Sequence, residues 1–263
     1  MNRLDTLFQE KKANILNIYF TAGYPQLQDT TTLLTLLEET GVDIVEIGMP
    51  FSDPLADGET IQGSSQKALE NGMTLSVLFE QLRDVRQKIS IPIILMGYLN
   101  PVLQYGMEAF CKQCKAVGVD AVILPDMPLA VYETMYAPLF QQYGLANIFL
   151  ITPQTSEKRI RTIDKLSKGF IYMVSSASTT GAKEGFGEEQ EAYFQRIQAM
   201  NLQNPCLIGF GIANQASFLK ACQYAAGAII GSAFIKAIGQ EAPLEEAVKQ
   251  FVAQVRPQSQ LTS

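Results

Sequence analysis

The sequence predicts an α/β chain folded as a single (β/α)8 TIM barrel, and three observations lead there. Eight short apolar runs, many of them β-branched and most ending at Gly, Pro or Asp, recur along the 263 residues. Segments with helical spacing separate them, the alternation that builds parallel βαβ units. Eight units leave about 33 residues each, the size of one strand, one helix and two short loops. A doubly wound sheet would favour G-x-G-x-x-G after its first strand. Here the first run leads instead into Thr21-Ala22-Gly23-Tyr24-Pro25.

The first run is residues 15–20, followed by Thr32, Leu33, Leu36 and Leu37 on one helical face. The second, 44–48, precedes an irregular stretch, 49–58, and then Leu75, Leu78, Phe79 and Leu82 at helical spacing. An extra short helix is therefore expected in the loop after the second strand. Runs three to five are 93–97, 121–124 and 146–151, with a helical run at 107–117. Ile160, Ile163 and Leu166 form a helical stripe before the sixth run, 170–174. The seventh and eighth runs are 206–209 and 228–230. The last opens into Gly231-Ser232 and the apolar stretch Ala233-Phe234-Ile235, a second expected short helix, before the stripe Ala247, Val248, Phe251, Val255. With no linker or low-complexity segment, residues 1–263 read as one barrel domain and 257–263 as a frayed tail.

Composition narrows the chemistry. The chain has 20 Lys+Arg against 26 Asp+Glu, a formal net charge of −6, which argues against a nucleic-acid surface. It contains no histidine. A Ser-His-Asp or Cys-His centre, a histidine metal site and a histidine acid or base are excluded. Proton transfer is left to Asp, Glu, Lys, Tyr, Cys or water. No apolar run approaches the roughly 18 residues of a transmembrane helix, and Met1-Asn2-Arg3-Leu4-Asp5-Thr6 is not the apolar core of a signal peptide. Four cysteines are no disulfide framework, so the cytoplasm is the expected compartment. Cys111 and Cys114 form C-x-x-C inside a helical run and read as helix residues rather than zinc ligands, with Cys114 the one open to oxidation if exposed.

Barrel active sites lie at the C-terminal ends of the strands. In Ile44-Val45-Glu46-Ile47-Gly48 the period of two puts Ile44, Glu46 and Gly48 on one face, Val45 and Ile47 on the other. Helices cover the outside of a barrel strand, so Val45 and Ile47 suit the helix layer and Glu46 points inward near the mouth. Desolvation there raises its proton affinity and suits it to proton transfer. A structural Glu paired with Lys or Arg is the alternative. Asp57, before Gly58 in the long following loop, is open between a functional carboxylate and a turn or cap residue. Gly209-Phe210-Gly211 and Gly231-Ser232 follow the last two strands. Glycine admits close backbone approach, Ser232 can cap the helix after it, and a helix start offers unpaired N–H groups to an anion. A phosphate cradle is favoured over tight turns alone. Residues 175–187, rich in Gly, Ser and Thr, read as a lid. Phe20, Tyr98, Tyr172 and Phe210 fall at strand ends and are either core or the aromatic walls of a pocket.

Residues 45–58, reading V-E-I-G-M-P-F-S-D-P-L-A-D-G, closely resemble the defining segment of the tryptophan synthase alpha chain family. The resemblance extends through residues 20–25, 96–101, Pro125-Asp126-Met127-Pro128, Thr180-Gly181, 209–212 and Gly231-Ser232. It implies retro-aldol cleavage of indole-3-glycerol phosphate to indole and glyceraldehyde 3-phosphate. Glu46 would be the acid/base and Asp57 the hydrogen-bond partner of the indole N–H. Phe20, Tyr98, Tyr172 and Phe210 would line the indole pocket, and Gly181, Gly211, Gly231 and Ser232 would hold phosphate. It also implies an α2β2 complex whose beta chain carries pyridoxal phosphate, with no cofactor on this chain. The sequence departs from the family where Ser178 and Thr179 replace the usual glycine and aliphatic residue of the lid. It departs again where Leu129-Ala130-Val131 replaces acidic residues. A stand-alone indole-releasing lyase, a phosphate-binding barrel without turnover and another phosphosugar barrel enzyme are the competing readings. The last class generally relies on metal-binding His or strand-end Lys, and His is absent here.

Overall fold

A computed structural model describes residues 2–175 and 186–256. Among the described residues, nine parallel strands run β1 (Ile15–Thr21), β2 (Ile44–Gly48), β3 (Ile93–Met96), β4 (Ala121–Ile123), β5 (Ala146–Asn147), β6 (Leu150–Ile151), β7 (Ile171–Val174), β8 (Cys206–Gly209) and β9 (Gly227–Ile230). Their order is β5-β4-β3-β2-β1-β9-β8-β7-β6. The two ends of that order are halves of a single run, the fifth expected strand. Ile148 N–H bonds the carbonyl of Val122, and the carbonyl of Phe149 accepts from Tyr172 N–H. The run thus passes from β4 to β7 and closes the sheet. Its division reflects the stagger that strands need to close a barrel: the first half reaches one neighbour and the second half the other.

The alternation read in β2 holds around the barrel. Ile44, Ile94, Ile123, Ile148, Tyr172 and Ile229 pack in an inner cluster, while Val45, Ile47 and Leu95 join the larger layer under the helices. The helix Arg3–Glu10, which the sequence reading left unassigned, supplies Leu4 and Phe8 to the inner cluster. It closes the base of the barrel, with Phe8 6.1 Å from Phe170 between ring centroids. Asn2 caps this helix in a reciprocal box with Asp5, a pattern that satisfies two of the free N–H groups at a helix start.

Both expected short helices are present. The loop after β2 carries Glu59–Glu70 and Leu75–Gln81, and Ser232–Ile238 follows β9 before the closing helix Leu244–Val255. Thr74, Ser156 and Asn214 cap their helices through the side chain. Leu129-Ala130-Val131 forms a short helical turn after Pro128, with no acidic residue in it. Cys111 and Cys114 are both fully buried in the helix Met107–Val117. Burial pushes the Cys111 thiol up to about 12 and raises that of Cys114 as well, so Cys114 is shielded rather than reactive. The expected frayed tail, 257–263, lies outside the described residues.

Candidate active site

Glu46 stands in the register of β2 opposite Tyr19 of β1 and Ile94 of β3. It is 0% exposed. Its partner is an amide and not a cation: Asn17 Nδ2 donates to Glu46 Oε1 at 2.6 Å. Glu46 Oε2 is buried without a partner. Burial pushes the carboxyl up to about 8, against the opposing pull of the Asn17 bond. A carboxylic acid that holds its proton near neutrality and can release it is suited to general acid–base work. Sequence reasoning missed Asn17. Its signal was a polar residue between the apolar neighbours Leu16 and Ile18 in a strand with no solvent face.

Asp57 comes to the same mouth from the loop after β2. Tyr98, two residues beyond β3, donates from Oη to Asp57 Oδ2 at 3.0 Å and accepts from Ala56 N–H at 3.1 Å. Its ring lies 5.2 Å from that of Phe51. One hydroxyl therefore ties the loop over the strand ends. Burial raises the Asp57 carboxyl and the Tyr98 bond works against the rise. The Tyr98 hydroxyl itself is pushed up to about 12, by burial first and then by the Asp57 charge. Asp57 takes part in a turn through its N–H to Pro54. The cap position of the helix Glu59–Glu70 is Gly58, so the Asp57 side chain is free of the capping task.

Tyr19 and Tyr172 both feel the charges of Glu46 and Asp57, and burial raises both hydroxyls above the ordinary tyrosine range. Both rings therefore lie within electrostatic reach of the two carboxyl groups. Glycines make room for the rings: a Cβ on Gly48 would lie 2.0 Å from Tyr19 Oη, and one on Gly209 2.2 Å from Tyr172 Oη. Phe210 meets Tyr172 edge-on at 6.2 Å and is partly exposed.

Phe20 does not join them. It is fully buried in the layer between strands and helices, because strand parity puts it on the face opposite Asn17, Tyr19 and Thr21. The position expected for Phe20 in the pocket is taken by Tyr19, one residue earlier.

The glycine loops adjoin these rings. Phe210 and Gly211 both have left-handed φ, 69° and 75°. Ser175 Oγ donates to the Phe210 carbonyl at 2.7 Å, fixing the end of β7 to the loop after β8. A Cβ on Gly231 would sit 3.4 Å from the Tyr19 ring, so the loop after β9 passes directly over the pocket wall. Gly231 occupies the cap position of Ser232–Ile238 and Ser232 is its first residue. The expected capping by the Ser232 side chain is therefore displaced by one position, and Ser232 is exposed. Gly181, Ser178 and Thr179, with most of the expected lid, lie outside the described residues.

A family model described as tryptophan synthase alpha chain matches residues 4–262. A protein of Flavobacterium johnsoniae named tryptophan synthase alpha chain is 56% identical over 97% of this chain and 100% of its own length. One from Christiangramia forsetii is 59% identical over 91% and 93%. Among solved structures, the tryptophan synthase alpha subunit of Legionella pneumophila superposes with a TM-score of 0.87 at 30% identity, covering 97% of both chains. A tryptophan synthase complex from Pyrococcus furiosus contains a chain that matches with a TM-score of 0.84 at 32% identity, over 93% of this chain and 98% of that one.

Proposed function

The chain belongs to the tryptophan synthase alpha chain family, and from that premise we propose how its residues carry out the family's reaction. It is a carbon–carbon lyase that cleaves indole-3-glycerol phosphate to indole and D-glyceraldehyde 3-phosphate, in tryptophan biosynthesis. It works with a beta chain that holds pyridoxal phosphate and condenses indole with serine.

In our reading Glu46 does the proton transfers. Its buried carboxylic acid gives a proton to C3 of the indole ring, and the ring becomes a cationic iminium. The Glu46 carboxylate then takes the proton of the side-chain hydroxyl next to C3. That carbon becomes the aldehyde carbonyl, the C–C bond breaks, and its electrons return to the ring and restore neutral indole. The net change is one proton moved from the hydroxyl to C3. Asp57 accepts the indole N–H bond and its charge stabilises the iminium, in a desolvated chamber where such an interaction is strong. Tyr98 aims Asp57. Tyr19, Tyr172 and Phe210 form the walls for a flat ring, and backbone N–H groups of Gly211, Gly231 and Ser232, with Gly181, hold the phosphate.

The observation that carries this reading is the buried Glu46, whose partner among the described residues is the Asn17 amide and no cation, and whose carboxyl is pushed up to about 8 by burial. A phosphate-binding barrel without turnover gives that costly group no task. We place the protein in the cytoplasm as one barrel domain. In support, no helix among the described residues is long and apolar enough to cross a membrane.

The test is indole release from indole-3-glycerol phosphate by the purified chain, with and without a tryptophan synthase beta chain. Release that rises strongly with the partner supports the coupled lyase. Fast release indifferent to the partner selects a stand-alone lyase, and no release in either case contradicts the reading.

A further inference from the structure

We propose that Asn17 is a positioning residue that fixes which oxygen of Glu46 carries the transferable proton, assigning it to Oε2. The inference rests on Glu46 being the acid/base of the reaction. An amide NH2 group only donates, and in a neutral carboxyl the carbonyl oxygen accepts far better than the hydroxyl oxygen, so the bond favours Oε1 as the carbonyl oxygen. Asn17 Nδ2 meets Oε1 at 2.6 Å. The proton of the neutral acid therefore resides on Oε2, the oxygen that no group among the described residues engages.

Strand register gives the direction. Tyr19 is level with Glu46, and Asn17 is level with Ile44. Asn17 thus sits one inward-facing layer deeper, about 7 Å toward the base of the barrel. It approaches the carboxyl from the side of the base and engages Oε1, which leaves Oε2 as the oxygen available to a substrate.

A second observation separates this role from packing. Asn17 is 0% exposed and its Oδ1 has no partner. Burying an amide with half its hydrogen-bonding capacity unmet is costly, and an apolar side chain of similar volume would fill the same space without that cost. What the amide alone supplies is the bond to Glu46. The other titratable groups facing Glu46 are Tyr19 from β1 and Tyr172 from β7, with Asp57 acting on both tyrosines from the loop after β2. From β3 the register partner is apolar Ile94. None of these is a donor fixed to Oε1 as Asn17 is.

The test uses Asn17→Leu and Asn17→Ala in the full chain. The alanine variant removes the donor with less steric demand if the leucine variant fails to fold. The Glu46 titration is followed by infrared difference spectroscopy of its protonated carbonyl, with Glu46→Gln as the blank. The pH dependence of kcat and KM is measured with the beta chain present. Loss of the donor should move the Glu46 midpoint up by about one pH unit. It should lower kcat by roughly tenfold or more and leave KM within about threefold, as expected when an interaction specific to the proton-transfer step is removed. An unmoved midpoint with kcat intact in a folded variant overturns the proposal. Full activity in Glu46→Gln would instead overturn the acid–base reading itself, so the two failures are told apart.

Discussion

Glu46 keeps its proton because β2 carries it into a space lined by Ile44, Ile94 and the rings of Tyr19 and Tyr172, where its charge has lost water and gained one amide bond. That environment links function to stability with a definite sign. The unfolded chain ionises Glu46 near 4.5, whereas the folded chain holds the proton up to about 8. Between those values the unfolded state binds fewer protons, so this group's contribution to stability falls as pH rises. Glu46→Gln removes the titration. At ~1.4 kcal/mol per pKa unit, the variant should gain a few kcal/mol over the parent near pH 8.5 and much less near pH 5. Urea unfolding at the two pH values checks this, and a pH-independent difference would contradict it. Tyr98→Phe removes the hydroxyl between Asp57 and Ala56. It should lower kcat/KM by about tenfold, the worth of ~1.4 kcal/mol lost at a charged partner, as steady-state kinetics would show. The inward direction of Glu46 was legible from parity alone. Its partner was not, because a single asparagine in β1 has no local signature of which side chain it meets on the neighbouring strand.

Elements decide which side of each strand a residue serves. Tyr19 and Phe20 are adjacent aromatics, and sequence hydrophobicity does not distinguish them. Parity counted from polar Asn17 and Thr21 puts Tyr19 inward and Phe20 under the helices, as the structure has them. The divided fifth strand was not legible either, since its stagger is a property of the closed sheet rather than of residues 146–151. Glycines give sharp tests at this scale. A Cβ on Gly227 would lie 2.1 Å from the Ile15 carbonyl oxygen, which is backbone of the neighbouring strand. Gly227→Ala should therefore cost about 3 kcal/mol or more. Gly63, inside the helix Glu59–Glu70, has nothing within 4 Å of its Cβ position. Gly63→Ala should stabilise by up to about 1 kcal/mol through helix propensity. Chemical denaturation of both variants checks the pair, and equal effects would contradict the packing described here.

At the scale of the whole molecule, eight alternating units identified the barrel, and a long matching segment, 45–58, identified the family. The helix Arg3–Glu10 that plugs the base was less visible. It precedes the repeating units, and its marks are brief: Leu4, Leu7 and Phe8 at helical spacing and the Asn2-to-Asp5 capping pair. The barrel base is apolar and closed, while the mouth gathers the acid, the second carboxyl, the aromatic walls and the glycine loops. That polarity brings distant sequence positions together at the proposed site. In the proposed mechanism a single buried carboxyl, Glu46, moves the proton from hydroxyl to ring carbon. The most direct measurement is indole formation by Glu46→Gln assembled with a beta chain, alongside calorimetric binding of indole-3-glycerol phosphate to the same variant. Substrate should bind with affinity within about threefold of the parent and cleavage should fall by at least about a thousandfold, as for loss of an essential acid–base group. Cleavage within a few-fold of the parent, with binding retained, would contradict it.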